Sequence, residues 1–208
     1  MNQVLLTFCN MLLNILEVFV LLLLAGGLFS AKLHRFRYVI AVLGLFLLHF
    51  GLLLILGEAL YVRIILQLSV DAGWITIVYR TQFVKAFVLS AIYGAFLAAA
   101  DSVFLYAFSL ITGQPAMVYL QNPYSYYLFC YCIKIIEIFA VLAVRTWLQN
   151  RFATDTLPWQ AWLRTLLLPA MSTFISFSLF SIYSAAPAAA PQLLLCAIIL
   201  VLVNGMTI

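Results

Sequence analysis

The stretch Tyr124–Trp147, YSYYLFCYCIKIIEIFAVLAVRTW, decides how the chain is read. As a helix it is long enough to cross a hydrocarbon layer about 30 Å thick. Lys134 and Glu137 stand near its middle, three positions apart. That spacing puts both side chains on one helix face, where they can pair. Charges at mid-bilayer are costly, so such residues face a bundle interior and are where a functional hypothesis starts.

The rest of the chain is built in the same way. Of its 208 residues, 67% are apolar and only 8% charged. That excludes a soluble domain, which needs more polar surface. Apolar runs at about 4–29, 38–57, 62–79, 86–110, 124–147, 161–182 and 190–207 approach or exceed the roughly 17–25 residues of a transmembrane helix. The third run is the weakest, interrupted by Gln67, Ser69 and Asp71. A six-span version with a re-entrant third segment therefore stands beside the seven-span one. None of the runs alternates as barrel strands do. The expected fold is an all-α polytopic membrane helix bundle, one domain over 1–208. The first run has no basic segment before it and is too long for a signal-peptide core, so it is read as a retained helix.

Basic residues orient the bundle. Lys32, Arg35, Arg37, Arg80, Lys85, Arg145, Arg151 and Arg164 fall on one side when seven spans are drawn, and Arg63 alone falls on the other. By the positive-inside rule the N-terminus is outside and the C-terminus cytoplasmic. Skipping the third span would place the later clusters outside, so the asymmetry favours seven.

The four cysteines, Cys9, Cys130, Cys132 and Cys196, all lie in apolar runs. Cys130-x-Cys132 lacks the two-residue gap of redox and zinc motifs, so buried packing is expected of them, with no metal site and no cofactor. Ala91, Ala95 and Ala99, with Gly94 and Ala98 beside them, form a small-residue ridge suited to a compact bundle or a dimer face. No internal repeat of the inverted-transporter kind is visible. On the outer side, Tyr119, Gln121, Asn122, Tyr124, Tyr127 and Tyr183 edge two loops. They read either as an aromatic belt at the headgroup level or as an outer vestibule that binds a ligand. The cytoplasmic segment from Gln149 to Arg164, with Asp155, Pro158, Trp159 and Trp162, reads as an interfacial connector.

Six ionisable groups fall at similar depth. Glu17, His49, Asp71, Lys134 and Glu137 lie near the centres of their spans, and Asp101 lies slightly past the centre of its own. With every acid ionised, Lys134 alone would face four carboxylates. The expectation is that some carboxyls hold protons, that His49 is charged, or that a water-filled or ion-binding cavity exists. Such a layer reads as a packing device, as a bistable polar core that carries a signal, or as a proton or cation path.

Asn14-Ile15-Leu16-Glu17, Gln121-Asn122-Pro123 and Ile133-Lys134-Ile135-Ile136-Glu137 resemble the sensor half of Agr-type histidine kinases, GHKL-class quorum-sensing receptors of Gram-positive bacteria. Leu168-Pro169 and Leu202-Val203-Asn204 fit the same layout. The resemblance implies a multi-pass receptor in the bacterial plasma membrane, dimeric, sensing an extracellular peptide and coupled through the last span to a cytoplasmic kinase module. The sequence ends at Ile208 without a phosphoacceptor-histidine helix, an asparagine box or a glycine-rich ATP lid. The expectation is a fragment or stand-alone sensor module that does not phosphorylate by itself.

No His-Glu-x-x-His or Gly-x-Ser-x-Gly motif is present, and His34 and His49 have no cysteine close in sequence, so no catalytic residue is expected. The competing reading is transport: the membrane subunit of a vitamin-type importer, or a small proton-linked carrier, binding a small molecule. The lipid bilayer is the partner in either case, and no nucleic-acid partner is expected.

Overall fold

Long apolar runs in lipid leave the backbone no solvent to bond with, so each run satisfies its own amides as a helix. The computed structural model describes residues 3–29, 34–56, 60–113, 115, 118, 121–151 and 167–207. Seven α-helices form among them: α1 Gln3–Leu28, α2 Arg35–Leu56, α3 Leu60–Tyr79, α4 Phe83–Thr112, α5 Pro123–Arg151, α6 Leu167–Ala185 and α7 Ala190–Thr207. A 3-10 turn, Pro187–Ala189, leads into α7. No strand occurs among the described residues.

Among the described residues five segments are long and apolar enough to cross a membrane: Leu5–Leu28, Arg35–Ile55, Val62–Tyr79, Phe83–Thr112 and Pro123–Ala143. Ala170–Ala185 and Ala190–Val203 are shorter apolar helices. The third run, the weakest by composition, forms one unbroken helix, Leu60–Tyr79. Its polar interruptions cost little, because the Ser69 hydroxyl donates back to the Ile65 carbonyl at 2.9 Å. The surface is apolar and the interior partly charged. Leu54, Ile55, Ile77, Phe139 and Phe174 are exposed, while His49, Asp71, Lys134 and Glu137 are buried. That inversion is the pattern of a protein whose solvent is lipid. The chain is an all-α polytopic membrane bundle.

Local signals set the helix ends. Asn122 caps α5, its Oδ1 accepting the Tyr124 amide at 3.0 Å, and Pro123 takes the first helical position, where no amide is needed. Gly113 follows α4 at φ +66°, the left-handed geometry that glycine adopts without strain.

The chain divides into two compact units. The first holds α1, α2, α3, the start of α4 through Ser90 and α5 from Lys134 onward; the second holds α4 from Ala91, α5 up to Ile133, α6 and α7.

In the first unit, three polar-tipped aromatic side chains donate to main-chain carbonyls of a neighbouring helix. Tyr38 Oη reaches the Phe19 carbonyl at 2.9 Å, Trp74 Nε1 the Ala41 carbonyl at 2.9 Å, and Tyr79 Oη the Leu22 carbonyl at 2.6 Å. Together they tie α1, α2 and α3 into a trio with fixed register. Gly44 lets α3 close on α2: a β-carbon there would lie 2.5 Å from Trp74 Cζ2. Because the indole is rigid and held at its nitrogen, Gly44→Ala is expected to cost about 1–3 kcal/mol through overpacking. Gly51, in the same helix, has nothing within 4 Å of an added β-carbon. Gly51→Ala should therefore be neutral or stabilising by up to about 1 kcal/mol. Thermal unfolding of both variants in detergent, followed by tryptophan fluorescence, measures the contrast.

The core of the second unit gathers Ala99, Leu105 and Tyr106 of α4, Leu179 and Tyr183 of α6, and Ala190, Leu193, Ala197 and Leu200 of α7. Ala99 belongs to the small-residue ridge, so the ridge serves packing within the chain at that point. Tyr106 and Tyr183 pack with ring centroids 5.2 Å apart and their planes tilted by 54°.

The cysteine expectation is corrected. All four are thiols, but Cys132 and Cys196 are exposed and Cys9 and Cys130 only partly buried. In lipid an apolar thiol gains nothing from facing inward, so hydrophobicity does not assign it a side. The connector residues Asp155, Pro158, Trp159, Trp162 and Arg164 lie outside the described residues, as does Lys32.

Candidate functional site

The polar residues of the first unit come together from four helices. Lys134 and Glu137 are one turn apart on α5, and the lysine Nζ donates to Glu137 Oε2 at 3.0 Å. The same Nζ lies 3.0 Å from Oε1 of Glu17 on α1. One ammonium is thus shared by two carboxylates on different helices. The Glu137 side chain is 1% exposed and the lysine 6%, while Glu17 keeps 37%. The α5 arm of the bridge is sealed and the α1 arm is partly open.

A second pair stands beside it. His49 Nε2 of α2 and Asp71 Oδ1 of α3 are 2.7 Å apart, and both side chains are buried. Glu17 is within electrostatic range of Asp71, which links the pair to the lysine cluster. The second ring nitrogen of His49, Nδ1, is buried without a hydrogen-bond partner among the described residues. The tautomer with its proton on Nε2 therefore gives that proton an acceptor and leaves no stranded donor. With all three carboxylates ionised, Lys134 alone does not balance the five-residue group. One proton, on His49 or on a carboxyl, brings it closer to neutrality. A shared cation next to a histidine–carboxylate pair can exchange partners and take up or release a proton.

The sixth residue expected in this layer is described with the second unit. Asp101 belongs to the second unit, where it is exposed and lines a cavity of about 420 Å³ with residues of α4, α5 and α6. The residues expected around an outer vestibule differ in exposure. Gln121, Asn122 and Tyr124 are exposed. Tyr127 is buried, and Tyr183, in the last turn of α6, is fully enclosed in its aromatic pair. Tyr119 lies outside the described residues.

Three features escaped the sequence reading. Lys85, assigned to a basic loop, is buried within the first turns of α4. Trp74 and Tyr79 act as helix clamps, which only their polar tips within an apolar run could have signalled. Ser176 is buried inside α6 and lines the cavity of the second unit.

Among the described residues no group of three histidine, cysteine, aspartate or glutamate side chains is placed to hold a metal ion. Comparison with protein-family models, with curated proteins and with solved structures yields no match. Fold and site together define a class, a polytopic helical membrane protein with a charged cluster buried among its first, second, third and fifth helices.

Proposed function

We propose that this chain is the transmembrane signal-sensing domain of a bacterial sensor histidine kinase, a multi-pass protein of the plasma membrane that detects an extracellular peptide and relays it through α7 to a cytoplasmic kinase module. The observation that carries the reading is the sharing of Lys134 between Glu137 on its own helix and Glu17 on α1. A cation with two alternative anions is a natural two-state element. The helix that bears it is continuous from its Asn122 cap to Lys134 and beyond. A ligand acting on the capped end would turn or shift α5 and change which carboxylate holds the ammonium. The N-terminus and the capped end of α5 are taken to face outside and α7 to end in the cytoplasm, and the receptor is taken to act as a homodimer.

The second reading, a substrate-binding importer subunit or proton-linked carrier, is favoured by the cavity on Asp101, whose size suits a small molecule. One experiment separates the two. The chain is joined after α7 to the kinase module of a known sensor, and phosphorylation of its response regulator is followed in cells given fractions of bacterial culture supernatant. The peptide fraction is expected to change phosphorylation by at least about fivefold, peptidase treatment to abolish the response, and Lys134→Met to lock the output. Peptidase-resistant output together with uptake of a small metabolite into proteoliposomes would replace the sensor reading by the transport one.

A further inference from the structure

The cavity of the second unit has a composition that the charged cluster does not explain. Its volume of about 420 Å³ lies within the usual range for small-molecule sites. Tyr126, Phe129 and Phe180 supply aromatic walls, and Asp101 is the one charged residue among those that line it. Ser176 is 4% exposed, and its hydroxyl has no hydrogen-bond partner among the described residues. All of these residues belong to the second unit.

We infer that this cavity is a binding site for an apolar-bodied ammonium compound, with the ammonium on Asp101, its body among the aromatic rings and Ser176 as a further polar contact. An aliphatic or aryl body gains from leaving water or the lipid headgroups, and it fills walls made of ring faces and edges. A carboxylate in such surroundings selects a positive group through a charge-assisted hydrogen bond, and nearby rings add cation–π attraction. A neutral molecule of the same shape forgoes both. An anion would meet the Asp101 charge, and a bare metal ion would find one carboxylate where it needs several oxygens. The site stands whether the chain senses a peptide or transports a metabolite, because it uses none of the residues of the charged cluster.

The test uses two probes with one skeleton, 2-(1-naphthyl)ethylammonium and the neutral 2-(1-naphthyl)ethanol. Each is titrated by calorimetry into the full chain in phosphatidylcholine nanodiscs, with empty nanodiscs subtracted. The chain is expected to bind the amine at least about tenfold more tightly than the alcohol. Asp101→Asn should remove that preference and leave alcohol binding in place. Ala98→Phe, which fills the cavity wall, should weaken both probes by at least about tenfold. If Ala98→Phe does not fold, the amine–alcohol comparison on the unaltered chain and on Asp101→Asn decides alone. Equal binding of the two probes, an amine preference that survives Asp101→Asn, or no saturable binding above the empty nanodiscs would overturn the assignment.

Discussion

Lys134→Met is expected to lower the stability of the protein by roughly 3–5 kcal/mol, the cost of stranding the buried Glu137 carboxylate when its partner is removed. For a chain of this length that corresponds to a fall of about 10 °C in the thermal midpoint. The size follows from the burial of the partners: Glu137 is 1% exposed on its side chain and cannot turn to water. Methionine matches the length and apolar stem of lysine, so little of the loss comes from packing. Adding Glu137→Gln to Lys134→Met should recover a large part of the stability, because a neutral amide no longer needs the ammonium. Thermal unfolding in detergent, with tryptophan fluorescence as the signal, measures both variants. Arg63→Met serves as the reference, since Arg63 is only partly buried on α3, and it should change the stability by no more than about 0.5 kcal/mol.

The second large effect concerns His49 and Asp71. Either His49→Leu or Asp71→Leu leaves one buried polar partner unsatisfied and is expected to cost about 3 kcal/mol. The double variant should cost less than the sum, with a coupling of about 1–3 kcal/mol between residues in direct contact. The contact is short, 2.7 Å, and both side chains are buried, so neither can find water in place of the other. A double-mutant cycle on the same unfolding assay reads the coupling. A strictly additive double variant would mean that the two groups do not meet in the membrane.

How much of this was legible in the sequence depends on which question each residue answers. Hydrophobic length placed the helices well: α7, Ala190–Thr207, coincides with its apolar run. α4 begins earlier than expected, at Phe83. Lys85 was read as a loop charge, yet the helix continues through it and buries it. The pairing of Lys134 with Glu137 could be read from their three-residue spacing alone. The arrival of Glu17 could not, since depth along a span says nothing of which spans are neighbours. The same limit applies to Asp101. Its position in its apolar run gave no sign that it belongs to the second unit. Tyr183 shows a related limit. At the edge of an apparent loop it reads as a surface aromatic, but α6 runs on to Ala185 and the ring packs against Tyr106. In a membrane chain both the core face and the lipid face are apolar, so the face a residue occupies has little signature in composition, as the exposed Cys132 and Cys196 illustrate.

Charge reversal across the α1–α5 contact tests the shared-lysine cluster most directly. Glu17→Lys places two ammonium groups together and Lys134→Glu three carboxylates, so each single reversal should lower the thermal midpoint sharply. The double reversal restores opposite charges between positions 17 and 134 and should regain at least half of the summed loss. A double reversal no more stable than the sum of the two single effects would contradict a direct Glu17–Lys134 bond and with it the two-state element built on that bond.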